Sequence, residues 1–192
     1  MIYETTTYTK LKNKPQDNFV TKIFVHHTGG TSNPKNDSAD TSHHTAQIVE
    51  AGHISKGWEG IGYHEFIEKD GDVWLGRPAH YHGAHVKEDG WNSESYSICL
   101  AGNFDAFLPV PEQEKVLAER LKLALERFKL TEADIVPHRS VLGNPPYKQC
   151  YGKKLAESWA RDLLKTVPEI PVAPQVDKAK IQQAIDILKT LV

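Results

Sequence analysis

The sequence predicts an α/β fold, a single domain with a central β-sheet flanked by helices. Three observations carry this reading. Ile23, Phe24 and Val25 form a partly β-branched apolar run that stops at His26 and His27 and is broken by Thr28, Gly29 and Gly30, the mark of a short buried strand. Residues 63–69 and 73–75 flank Asp70 and Gly71 and read as a β-hairpin. Leu117, Leu121, Ala124, Leu125 and Phe128 recur at helical spacing behind Pro111, so a long helix runs from there to about Lys129.

A chain of 192 residues has room for one main domain with a full core. With 39% apolar and 25% charged residues it has the composition of a soluble globular protein. A net charge of -2 argues against a nucleic-acid binder, which needs a basic field, and gives no reason for adsorption to an anionic membrane. Two cysteines are too few for a disulfide framework. Cys99 lies in an apolar run and reads as a buried thiol, with a Cys99–Cys150 bridge as the alternative. The N-terminus has no apolar run of signal-peptide length, and no stretch approaches the roughly 18 apolar residues that span a bilayer.

In chain order, the Thr- and Tyr-rich stretch ETTTYTK reads as an edge strand, followed by a loop at Pro15 and the buried strand ending at His27. Residues 31–40 are a loop by composition. A helix is expected to start near Thr41 or Ser42, either a good N-cap, and to close at Gly52. His43, His44 and His53 match no metal-ligand spacing and read as a solvated face. In the hairpin, Tyr63, Glu65 and Ile67 are expected on one face and His64, Phe66 and Glu68 on the other. Residues 79–93 are irregular, residues 94–102 form a second buried strand, and Asp134, Ile135 and Val136 form a third that ends at Pro137 and His138. Residues 153–165 are expected to be helical, with Leu155, Ala156, Trp159, Leu163 and Leu164 inward. Pro168, Pro171 and Pro174 stiffen a linker over 167–176, and Asp177 caps an amphipathic helix to 192. That helix can fold back, pair with another chain in self-association, or begin a further segment.

Chemistry concentrates in His26, His138 and Cys150. Zinc favours imidazole nitrogen and thiolate sulfur; three protein ligands with one open position form a catalytic site, whereas four close a structural one. The alternative is that one of His26 and His27 caps the strand and the other is solvated. Spacing does not choose, because the donors come from a strand end and two loops.

The segments IFVHHTGG, GIGYHEFIEKDGDVWLGRP, GAHVKEDGWNSESYSICLAGNF, IVPHRSV and KQCYG, in that order, resemble the zinc-dependent N-acetylmuramoyl-L-alanine amidases, the group that includes phage lysozyme-type endolysins and the peptidoglycan recognition proteins. The resemblance covers about residues 20–165. It implies a central mixed β-sheet flanked by helices, with the catalytic domain over 1–166, and one catalytic zinc ion (Zn2+) held by His26, His138 and Cys150. It implies hydrolysis of the amide between the lactyl group of N-acetylmuramic acid and L-alanine in bacterial peptidoglycan by zinc-activated water. Lys148 would face the oxyanion and Tyr63 would hold the water or pass a proton to the leaving amine. Thr28, His85 and Asn92 would line the muropeptide groove. The implied partner is peptidoglycan, with no nucleic acid and no membrane insertion. The chain is expected to be made in the cytoplasm without a signal peptide and to reach the wall after release, as an endolysin does, or by non-classical export.

Two departures bear on the groove. The loop VLGNPPYK between His138 and Cys150 is longer than the resemblance leads one to expect, and Tyr151 follows the cysteine where many relatives have proline. Some relatives carry a glutamate on the strand where Ile98, Cys99 and Leu100 stand here, so no carboxylate base comes from it. Two rival readings are a recognition domain that binds peptidoglycan without cutting it and an amidase that recycles soluble anhydro-muropeptides. Retention of Cys150 favours an enzyme, since relatives that have lost activity typically lack that ligand.

Overall fold

The molecule is built around β2 (Lys22–His27), which pairs in parallel with β5 (Ser95–Leu100) on one side and β6 (Ile135–Pro137) on the other. A computed structural model describes residues 1–10, 20–30, 45–141 and 149–167. β1 (Ile2–Glu4), β3 (Glu65–Ile67) and β4 (Val73–Leu75) complete a six-stranded sheet of order β1-β4-β3-β5-β2-β6. Among the described residues only the β3–β4 hairpin pairs antiparallel, around the predicted turn at Asp70 and Gly71, so the sheet is mixed. All six residues of β5 are buried, as expected of a strand covered on both faces.

Strand alternation sorts the side chains into two cores. Ile23, Val25, Ile98, Leu100 and Ile67 pack under α3 (Pro111–Phe128), meeting its buried Leu117, Ala118 and Leu121. Phe66 and Cys99 face the other way and pack with Ala46 of α2 (Ala46–Ser55). The free thiol of Cys99 is fully buried, as its apolar strand predicts. The α3 stripe matches the expected one, and Lys129 ends the helix in the left-handed region at φ 56°. Glu65, on the α3 side, is 2% exposed and takes a two-point ion pair from Arg120 at 2.6 and 2.7 Å.

Four expectations are corrected. Thr6–Lys10 forms a short helix, α1, where an extended strand was expected. The Thr7 amide donates to the buried Glu50 carboxylate at 2.7 Å and the Thr7 hydroxyl accepts from the Ile61 amide at 2.8 Å, a tertiary anchor that overrides β-propensity. Burial alone would raise the pKa of Glu50, but hydrogen bonds from Thr7 and Thr6 hold it below the ordinary value. α2 is capped by Thr45, whose hydroxyl accepts from the Ile48 amide, and runs through Gly52; Gly57, at φ 82°, follows its last turn instead. Tyr63 leaves the face of Glu65 and packs with Phe66 and Cys99, because the strand begins only at Glu65.

The fourth correction concerns 153–165, where only α4 (Trp159–Asp162) and one following 3-10 turn are helical. The carbonyls of Ala156 and Glu157 accept from the Tyr151 hydroxyl at 3.2 and 2.7 Å, and that of Leu155 accepts from Arg139 at 2.8 Å. The Ala156 carbonyl also accepts from the Trp159 amide at 3.0 Å, three residues on, so side chains and a tight turn take these acceptors in place of the α-helical ladder. Leu155, Leu163 and Leu164 are buried as expected, but Ala156 is exposed and Ala160 is buried in its place. The linker and final helix expected beyond Val167 lie outside the described residues.

Candidate metal centre

His26 and His27 part company because successive strand residues point to opposite faces. His27 goes to the α3 side, where its Nδ1 accepts from the Phe104 amide at 3.0 Å. His26, 1% exposed, goes to the side of its register partner Cys99. β6 pairs Pro137 with Val25, so the next residue, His138, comes up beside His26 with ring centroids 4.8 Å apart. The Arg139 amide donates to the Cys150 carbonyl, which draws the third residue back to the strand ends. Cys150 Sγ then lies 3.5 Å from His26 Nδ1. The donor atoms of His26, His138 and Cys150 all lie within 4.8 Å of one another.

This donor set fits zinc. Tetrahedral zinc with bonds of about 2.05 Å to nitrogen and 2.3 Å to sulfur would hold the two donors about 3.6 Å apart. His26 Nδ1 and Cys150 Sγ stand at nearly that separation. Two imidazoles and a thiolate leave one position of a tetrahedron for solvent or substrate. The Glu88 carboxylate lies 3.6 Å from His138 Nε2, and a carboxylate behind one imidazole nitrogen orients the other toward a metal. Glu88 escaped the sequence reading because it lies in the stretch 79–93, which carries no strand or helix period, and the backbone there turns at Asp89 and Gly90, both at positive φ.

Tyr63 lies against His26, with ring centroids 5.3 Å apart. Burial above all, then the Cys99 and Cys150 thiols, pushes its phenol well above the ordinary range, so it keeps its proton at neutral pH. Burial likewise pushes the Cys99 thiol well up, with Cys150 adding to it, and no base arises there. His85 stacks edge-on with His26 at 5.0 Å, and burial, then the charges of His64, His138 and Arg77, holds its pKa well below the usual value. Thr28 ties the ends of β2 and β5 together: its hydroxyl donates to the Gly102 carbonyl at 3.1 Å and accepts from the Gly102 amide at 2.9 Å. The Asn92 side-chain oxygen accepts from the amides of His85 and Val86 at 2.8 and 2.9 Å. Lys148, with His43 and His44, lies outside the described residues.

The glycines of the hairpin motif have a steric reason. A Cβ on Gly62 would sit 2.4 Å from the Ala84 carbonyl oxygen, and one on Gly76 would sit 2.2 Å from that of Tyr63. Bare backbone there lets the loop carrying His85 close over the sheet. His53, expected on a solvated face, is instead half-buried: it stacks on Trp58 at 4.5 Å and accepts from the Gly62 amide at 3.1 Å. Burial first, then the charges of Lys56 and Arg77, lowers its pKa to about 4.

Among curated proteins, the chain is 34% identical over 121 residues to an endolysin of Klebsiella phage KP32, covering 59% of this chain and 74% of the phage protein. It is 28% identical over 148 residues to the human N-acetylmuramoyl-L-alanine amidase, covering 76% of this chain but only 24% of the human protein, so it spans about a quarter of that relative's length. Among solved structures, the endolysin amidase LysCS from Clostridium intestinale superposes with a TM-score of 0.67 at 25% identity, covering 86% of this chain and 95% of that one. The bumblebee peptidoglycan recognition protein SA, at 21% identity and a TM-score of 0.62 over 90% of this chain and 99% of that one, shares the fold. The pattern described as N-acetylmuramoyl-L-alanine amidase matches residues 16–153, and the chain belongs to that family.

Proposed function

We propose that this chain is a zinc-dependent N-acetylmuramoyl-L-alanine amidase that cuts the bond between muramic acid and L-alanine in bacterial peptidoglycan and thereby lyses the wall. The observation that carries the reading is the convergence of His26, His138 and Cys150, far apart in the chain, on one point. Zinc bound there supplies a Lewis acid and lowers the pKa of water from about 15.7 to near 7.

The remaining roles fall to side chains. The protonated Tyr63 hydroxyl holds the attacking water and passes a proton to the leaving amine of L-alanine, recovering one from that water, so that the acid and the free amine form together. Lys148 places positive charge beside the oxygen that becomes negative as the amide carbonyl is attacked. Glu88, 3.6 Å from His138 Nε2, is placed to accept from that nitrogen when the other one ligates a metal. Because Cys99 stays protonated, the reaction proceeds without a carboxylate or thiolate base from β5. Thr28 and Asn92 shape the muropeptide groove by fixing the strand ends and the His85 loop. No described helix is long and apolar enough to cross a membrane.

The test is to incubate zinc-loaded protein with purified sacculi and, separately, with soluble anhydro-muropeptides, and to count new L-alanine amino termini. Release from sacculi that vanishes in Cys150→Ser is the expected result. Tight binding to sacculi with no new termini would make the chain a recognition module, and release from soluble fragments alone would make it a recycling amidase.

A further inference from the structure

Behind His26 runs a line of hydrogen bonds that the hydrolytic roles leave unused. His26 Nε2 lies 3.1 Å from His85 Nδ1, His85 Nε2 lies 3.5 Å from Ser95 Oγ, and the Ser95 hydroxyl reaches the Trp91 carbonyl. The last link sets the direction of the rest. A carbonyl oxygen can only accept, so the Ser95 proton points at Trp91. Ser95 Oγ then offers lone pairs to His85, and His85 donates from Nε2. A neutral imidazole with its proton on Nε2 has its lone pair on Nδ1. That lone pair takes the proton of His26 Nε2, which leaves the His26 lone pair on Nδ1, the atom 3.5 Å from Cys150 Sγ.

The members of this chain are held as well as aligned. His26 is 1%, His85 9% and Ser95 0% exposed, so water does not compete for their bonds. Asn92 clamps the His85 backbone through the amides of His85 and Val86, and its own carbonyl accepts from the Gly83 amide at 2.8 Å. Ser95 opens β5, in register with Lys22 at the start of β2. The relay therefore bridges two neighbouring strands, from His26 on β2 to Ser95 on β5, before it reaches the Trp91 carbonyl.

We propose that His85 and Ser95 are positioning residues that fix the tautomer and ring orientation of His26, presenting its Nδ1 lone pair to the metal through a relay anchored on the Trp91 carbonyl. His85 thus acts on the metal centre from behind instead of serving the muropeptide groove. The inference rests on the zinc reading of the site, and deepens it. Outer partners of ligating histidines typically change metal affinity by about 10–100-fold when removed.

The test uses the full chain in two measurements. Long-range nitrogen–proton correlation NMR of the histidine rings, on metal-free and zinc-loaded wild-type protein, reads the tautomers directly. His26 and His85 should both carry the proton on Nε2 in either state, and zinc should perturb His26 Nδ1. A proton on Nδ1 of either ring in the metal-free protein, or zinc on His26 Nε2, would overturn the proposal. Competition with a chromophoric chelator then gives zinc affinity for wild type, His85→Ala, His85→Asn and Ser95→Ala. His85→Ala should bind zinc about 10–100-fold more weakly, Ser95→Ala should show a smaller loss, and His85→Asn, whose side-chain oxygen can stand in for Nδ1, should recover most of it. A merely structural His85 would show no such recovery, and unchanged affinity in His85→Ala would also sink the idea. Wild-type protein that binds no zinc would refute the hydrolytic reading and the metal-facing part of this one; the metal-free tautomers still judge the relay separately.

Discussion

Tyr63 and His64 are neighbours in sequence with opposite duties. The Tyr63 ring packs on His26 while its hydroxyl, kept protonated by burial, is the donor assigned to the leaving amine. Tyr63→Phe keeps the ring and removes the donor, so kcat should fall about 100-fold or more with KM changed little; an unaltered rate on sacculi would reduce Tyr63 to packing. His64 is 1% exposed, with Nε2 donating to the Tyr81 carbonyl at 3.0 Å and Nδ1 accepting from the Ser97 amide at 3.1 Å. A second proton would occupy its one acceptor, and burial above all lowers its pKa to about 4. The unfolded chain takes that proton near pH 6.5 and the folded one only near pH 4, so stability is lost as pH falls through that window. Between pH 7 and pH 5 the loss from this group is about 2 kcal/mol. Urea unfolding at both pH values should show the decline in wild type and a shallower one in His64→Gln; parallel declines would exonerate His64. At this scale the ligands were legible because each sits in a short motif with its own turn or strand signal. The partnership of His26 with His85, and of His138 with Glu88, was not, because loop return sets it and no local pattern encodes it.

Elements differ in how much of their support is local. α3 was readable from its stripe because Leu117, Ala118, Leu121 and Ala124 bury one face and Pro111 opens it. α1 and the stretch before α4 were not, since Glu50 in one case and Tyr151 and Arg139 in the other decide the backbone from a distance. The same dependence shows in how α3 is pinned to the sheet. Glu65 on β3 accepts from Arg120 at two points and from the Tyr96 hydroxyl at 2.7 Å, almost wholly out of water. Removing one member leaves a buried charge without its counterion, which typically costs about 3–5 kcal/mol. Arg120→Ala should therefore lower the denaturation free energy by that amount, whereas the paired change Arg120→Met with Glu65→Leu should recover most of it. A single-variant loss under about 1 kcal/mol would mean that water reaches Glu65 and that the pair is a surface one.

For the molecule as a whole, the three proposed ligands do more than hold an ion. His26 ends β2, His138 follows β6, and Cys150 belongs to the segment that leads into α4. A metal bound by all three ties β2 to the edge strand β6 and to the C-terminal part of the described fold. The unfolded chain has no such convergence, so binding favours the native state by about 4 kcal/mol when free zinc exceeds the dissociation constant a thousandfold. For a domain of this size that corresponds to a shift in melting temperature on the order of 10 °C. Chelation should lower the wild-type melting temperature accordingly and zinc should restore it, while Cys150→Ser should melt at the chelated temperature with or without added zinc. Should chelated and zinc-loaded wild type melt together, the three side chains would be neighbours without a shared ion, and the hydrolytic chemistry assigned to them would have no centre.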